Sequence, residues 1–344
     1  MKKVFMLCMV GLMLTFNTGC DITNAQTSDI LPKVALVAKK GSLENEAYAE
    51  MAYAGILKAS QDYNVEVLLT EPENKAAYIE AVSDAAAEAD LVVAVGHAEA
   101  DEIIKIADNN PETLFAVLDS YEDAPDNVMC LSFKEEEGAF LAGVIASLTS
   151  ETHKIGFIGG VKDEATKAFE YGFRAGVLSA NPDTDVTVKY TDCFDDPQKG
   201  KEAALALIEE GVDVIFHPSG RCSEGVIEVA DNAGIQTIGS DAGVYPMESN
   251  SVLCSVYKRV DYGVYLSVQS FMEGKFLMGS YNFGLDFEAV GYSDCNGKLD
   301  KETKARTDAF AAAVLSGSII VPKNHREFSS FKIPDGETLL LQGN

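Results

Sequence analysis

Short apolar runs alternate with longer amphipathic stretches along this chain, and the alternation starts twice. The first series begins with the strand-like run Lys33–Ala38 and a helical stretch from Glu44 to Tyr63. It continues with a strand at Val65–Thr70, a helix at Lys75–Ala89, a strand at Asp90–Val95, a helix at Ala98–Ala107 and a strand at Leu114–Leu118. A helix over Lys134–Leu148 leads to the second series. There, strands at Ile155–Ile158, Val186–Tyr190, Val212–Phe216 and Gln236–Ile238 alternate with helices at Ala165–Ser179, Pro197–Glu210 and Gly225–Ala233. Strands that are apolar throughout, rather than at every second residue, belong to parallel sheets covered on both faces. Two such series predict an α/β protein of two doubly wound lobes. Ligands in these sheets bind outside the carboxyl ends of the strands. The segments to inspect are therefore 39–42, Gly96-His97, Asp119-Ser120, Asp192-Cys193-Phe194, Pro218-Ser219-Gly220 and Ser240-Asp241.

A length of 344 residues suits two such lobes. The 54 Asp and Glu against 27 Lys and Arg, with no basic cluster, exclude nucleic acid as a partner. No GxxxxGK[ST] phosphate loop occurs, Gly156-Phe-Ile-Gly159-Gly160 lacks dinucleotide-loop spacing, and neither GxSxG nor HExxH is present. The chain is expected to carry no catalytic residues, no cofactor and no metal. His97 and His217 follow strands at matching places of the two series, either as ligand contacts or as strand-end residues facing solvent. The run Glu135-Glu136-Glu137 opens its helix where the dipole favours carboxylates, and reads as structural.

Lys2 and Lys3 precede an uncharged stretch from Val4 to Phe16, too short for the roughly 20 residues of a spanning helix. It reads as the apolar core of a signal peptide at 1–19, ending in Asn17-Thr18-Gly19-Cys20. Cleavage before Cys20 and lipidation of its thiol would leave a tether at 20–32 and anchor the protein on the extracytoplasmic face of the cell membrane. Beyond Cys8 and Cys20 the cysteines are Cys130, Cys193, Cys222, Cys254 and Cys295, an odd set without metal-ligand spacing. Mostly free, buried thiols are expected. One disulfide is possible, and the sequence does not say between which residues.

Segments distributed over the whole region after the tether carry a family resemblance. They are Gly41–Gly55, Phe115–Asp119, Glu137-Gly-Ala-Phe-Leu-Ala-Gly143, Lys154–Gly160, Phe169-Glu-Tyr-Gly-Phe-Arg-Ala-Gly176, Tyr190–Lys201, Gly211–Phe216, Ile238–Asp241 and Tyr257–Asp261. In this order and spacing they resemble the basic membrane protein family, whose PnrA/TmpC-type members are purine nucleoside-binding lipoproteins of ABC transporters. The resemblance implies a type I periplasmic-binding-protein fold, two doubly wound lobes joined by a three-strand hinge. Lobe 1 would be 33–132 plus 257–283, and lobe 2 would be 133–256 plus 284–344. The implied function is capture of a nucleoside between the lobes and its delivery to ABC permease and ATPase subunits. Another small solute on the same fold, a sugar or a signalling molecule, is the alternative.

Position by position, the resemblance implies Tyr48 as an aromatic stacking on the base and Asn45 as a polar contact. Phe194 would be the opposing aromatic. Asp241 and Lys258 would hold ribose hydroxyls, with Asp119 and Asp101 as further acceptors that could equally cap helices. Two departures stand out. Ala49 replaces an Asn that would face the base, and the stretch 219–225 is poorer in glycine, with Arg221 beside the cleft.

Overall fold

A computed structural model of the chain describes residues 31–38, 47–95, 99–120, 124–240, 249–294 and 297–333, with only the backbone described at 47–49. Two six-stranded sheets carry the fold, built from the same pattern. In the first, β1 (Lys33–Val37) lies between β2 (Glu66–Thr70) and β3 (Leu91–Val95), followed by β4 (Leu114–Leu118), β5 (Val128–Phe133) and β11 (Gly279–Phe283), all parallel. In the second, β6 (Lys154–Gly159) lies between β7 (Asp185–Tyr190) and β8 (Val214–Phe216), followed by β9 (Gln236–Ser240), β10 (Val252–Lys258) and β12 (Val290–Asp294). Only β12 runs antiparallel. This is the doubly wound arrangement expected, with a topological switch point between β1 and β3 and another between β6 and β8.

The connecting helices are α1 (Ala47–Tyr63), α2 (Lys75–Glu88), α3 (Ala100–Asn109), α4 (Glu135–Thr149), α5 (Glu164–Ala180), α6 (Pro197–Glu209), α7 (Cys222–Ala233), α8 (Val260–Met272), α9 (Lys301–Leu315) and α10 (His325–Ser329). Their starts are chemically marked. Asn74, Asp163, Asp196, Asp300 and Asn324 accept backbone N–H groups of α2, α5, α6, α9 and α10, each satisfying an otherwise orphaned donor. Central strands are buried throughout, as at Leu91–Val95 of the first sheet and Val214–Phe216 of the second, so each sheet is covered on both faces.

The chain passes between the sheets three times within the described residues. Strand β5 of the first sheet leads into α4, whose Ala139, Ala142, Ile145 and Ala146 pack with Ile155 and Phe157 of the second. Strand β10 of the second leads into α8, whose Val260, Val264 and Val268 join Ala52, Ile56 and Leu36 in the core of the first. Strand β11 then leads back through a short 3-10 turn, Leu285–Phe287, to β12. These are the three connections of the expected hinge.

Two of the glycine-bearing segments that carry the resemblance face each other across α4 and α5. A methyl group on Gly176 would overlap the carbonyl oxygen of Phe140, one on Gly143 that of Phe173, and one on Gly172 that of Glu136. The helices therefore meet backbone to backbone, and any side chain at these positions forces them apart. We expect Gly176→Ala to cost about 1–3 kcal/mol by overpacking. A lowered urea midpoint at unchanged slope would show it, and an unchanged midpoint would refute the close-approach argument.

Candidate functional site

The ends of β7, β6 and β8 lie side by side, because β6 sits between the other two. Just beyond them, the Gly160 N–H donates to the Pro218 carbonyl at 3.2 Å, and the Asp192 N–H donates to the Gly160 carbonyl at 3.2 Å. The Phe194 ring rests directly on Gly160, where a methyl group would overlap ring carbons. Gly220, at φ +58°, closes in on the Phe194 backbone, and the Arg221 N–H donates to the Phe194 carbonyl at 2.7 Å. Glycine is needed at 160 for the contact and at 220 for the left-handed backbone. With 40% of its surface exposed, Phe194 presents an aromatic surface at the switch point of the second sheet.

The second feature is a buried lysine. Lys258, the last residue of β10, places its Nζ 3.0 and 3.2 Å from the Asp119 carboxylate and 3.3 Å from Glu135 Oε1. It also lies 5.6 Å from the centre of the Phe133 ring. Asp119 follows β4 of the first sheet at φ +57°, and Glu135 is the first residue of α4. A strand end from each sheet and the start of a crossing helix thus share one ammonium group. The side chains of Lys258, Asp119 and Glu135 are 10%, 14% and 1% exposed, so only direct pairing makes these charges tolerable.

Of the residues predicted for the site, the structure brings Lys258 and Asp119 together in this cluster. Phe194 stands on its glycine floor at the carboxyl edge of the second sheet. Asp101 is an exposed residue in the first turn of α3, where no side chain caps the helix. The backbone of Tyr48 lies in the first turn of α1, and its side chain is outside the described residues. Asn45, Asp241 and Cys20 also lie outside them, as does His97.

Arg221, whose N–H donates to the Phe194 carbonyl, has an exposed side chain paired with Glu224 at 3.3 Å. Two sequence readings are corrected here. His217 does not face solvent. It is fully buried, and burial lowers its imidazole to about 4, so the ring is neutral at physiological pH. The acidic run at the start of α4 is more than a helix-dipole device. Glu135 pairs with Lys258, Glu137 accepts the Leu285 N–H at 2.8 Å and pairs with Lys134 at 3.2 Å, and Glu136 is buried. Glu135 is the member of the buried cluster that sequence reasoning missed. Its signal was indirect: a lysine ending an apolar strand needs buried counter-charges, and an acidic helix start after another strand can supply one.

The model of the Bmp family, described as ABC transporter substrate-binding protein PnrA-like, matches residues 32–325. The chain belongs to this family. Among similar relatives, a CD4+ T-cell-stimulating antigen of Listeria monocytogenes is 31% identical over 84% of this chain and 88% of its own length. Basic membrane protein A2 of Borrelia garinii is 30% identical over 88% of this chain and 91% of its own. Among solved structures, an ABC transporter solute-binding protein from Aeropyrum pernix superposes with a TM-score of 0.73 at 25% identity, covering 87% of this chain and 96% of that one. One from Conexibacter woesei gives 0.71 at 22% identity, covering 88% and 100%, and supports the fold. This Bmp-family chain is thus an ABC transporter substrate-binding protein, not an enzyme. Such a protein takes a small-molecule ligand and works with permease and ATPase partners. No helix among the described residues is long and apolar enough to cross a membrane.

Proposed function

We propose that this substrate-binding protein is an extracytoplasmic lipoprotein, anchored through Cys20, that captures a nucleoside between its two lobes and delivers it to an ABC importer. The observation that carries the nucleoside reading is Phe194: a half-exposed ring on a glycine floor at a switch point suits a flat base. Tyr48 is assigned the opposing face of the base and Asn45 a polar contact. Asp119, held in place by Lys258, is assigned to accept sugar hydroxyls together with Asp241, and Asp101 is a peripheral acceptor. The lobes are taken as 33–132 plus 257–283 and 133–256 plus 284–344.

Thermal shift with inosine, adenosine, uridine, adenine and ribose tests this reading. A ligand at about 100 times its Kd stabilises by roughly 2.7 kcal/mol, so a nucleoside should raise Tm where free ribose does not. Phe194→Ala should weaken the best nucleoside by about 5- to 150-fold, corresponding to roughly 1–3 kcal/mol of stacking. A shift with monosaccharides and none with nucleosides would overturn the assignment in favour of another solute on the same fold.

A further inference from the structure

Cys193 and Cys222 lie 29 positions apart in sequence, yet their sulfurs approach to 3.5 Å. Cys222 opens α7 and is fully buried, while Cys193 is partly exposed on the stretch between β7 and α6. Helices α6 and α7 are locked together beside them. A methyl on Gly200 would overlap the carbonyl of Cys222, and one on Gly225 would overlap that of Pro197. Cys222 is therefore held on a rigid platform. Cys193 sits on a short connection, its carbonyl accepting from Thr191 Oγ1 at 2.8 Å and approached by the Cys222 sulfur at 3.5 Å. A disulfide needs the sulfurs at about 2.05 Å, roughly 1.5 Å closer than they stand. A rotation at Cys193 with a small movement of residues 192–196 supplies that.

We propose that Cys193 and Cys222 form a reversible dithiol–disulfide couple that covalently ties the connection carrying Phe194 to the start of α7. The electrostatics divide the roles. Burial opposes ionisation of Cys193, but the Cys222 thiol and the backbone N–H groups of Asp196 and Asp195 outweigh it and hold this thiol below its ordinary value. Burial pushes the Cys222 thiol up. Cys193 is the attacking sulfur and Cys222 the resolving one. The oxidant is a low-molecular-weight or protein disulfide. The Cys193 thiolate attacks one of its sulfurs, that S–S bond breaks, and the first thiolate leaves. The Cys222 thiol then gives up its proton, its sulfur attacks the Cys193 sulfur of the mixed disulfide, and the second thiolate leaves. One disulfide is reduced to two thiols while two protein thiols are oxidised to one disulfide. Cys130 and Cys254 are fully buried in β5 and β10 and have no comparable access. The couple goes beyond the transport role and does not rest on the ligand being a nucleoside.

The test equilibrates the purified full chain across mixtures of reduced and oxidised glutathione. Free thiols are then trapped with N-ethylmaleimide under native conditions and the peptides mapped by mass spectrometry. A peptide joining Cys193 to Cys222 should grow with oxidised glutathione and vanish in the reduced mixtures. Amide exchange over residues 192–196 should slow several-fold in the linked form. Cys222→Ser should trap Cys193 as its glutathione mixed disulfide, whereas Cys193→Ser should leave Cys222 unmodified. The proposal is overturned if no mixture links the pair in the unmutated chain, if either sulfur pairs elsewhere, or if the link persists in the fully reduced mixture until denaturation.

Discussion

Lys258→Met should lower the melting temperature of the ligand-free protein by roughly 5–15 °C, a loss of about 3–5 kcal/mol. Methionine keeps the volume of the stem but strands the Asp119 and Glu135 carboxylates, 14% and 1% exposed, without their shared counter-charge. The loss should be mirrored in ligand affinity, because the cluster joins strand ends of both sheets where the chain crosses between them. Lys201→Met provides the contrast. Its pair with Glu228 has side chains 36% and 58% exposed, and such surface pairs contribute at most about 1 kcal/mol. Equal melting temperatures for the two variants would show that the buried cluster is not holding the lobes in register.

Glu136→Gln should change how stability depends on pH. Burial pushes the Glu136 carboxyl up to about 8, with the neighbouring Glu135 and Glu137 adding to the effect and Lys323 opposing it. Because the folded value lies above the unfolded one, the protonated side chain contributes stability that is complete below about pH 4.5. That contribution is lost as pH rises through about 8, at roughly 1.4 kcal/mol per pH unit. Glutamine keeps the neutral form at every pH. The variant should come within about 1 kcal/mol of the unmutated protein near about pH 5 and exceed it by on the order of 4 kcal/mol near about pH 8. Urea denaturation at both values reads this difference directly. A gap that does not widen with pH would mean that Glu136 reaches solvent or an unrecognised cation in its ionised form.

Much of the architecture was legible because a buried parallel strand announces itself locally. Leu91–Val95, Leu114–Leu118 and Ile155–Ile158 are apolar on both faces, and each is followed or preceded by a helix of matching length. Strands β11 and β12 were not legible. Gly-Ser-Tyr-Asn-Phe and Val-Gly-Tyr-Ser-Asp are edge strands, half exposed and without a continuous apolar run. Their pairing depends on β5 and β10, far away in sequence. The β-propensity of such segments is decided by the neighbour they meet rather than by their own composition.

The site divides along the same line. Its edge could be inferred from residue order, since each strand end is followed by small or polar residues and Phe194 stands two positions after Asp192. Its partnerships could not. Lys258 meets Asp119 across 139 positions and Glu135 across 123, and Cys193 meets Cys222 where α6 and α7 pack closely at Gly200 and Gly225. Apolar periodicity and short motifs are local properties, so the two series of strands and helices, the family and the edge where a ligand is expected could be read from residue order alone. Tertiary structure alone decided which carboxylates neutralise the buried lysine, that Gly143 and Gly176 serve helix contact, and which thiols meet. Strand order and helix approach set distances between residues that share no local pattern, and charge pairing and sulfur chemistry respond to those distances.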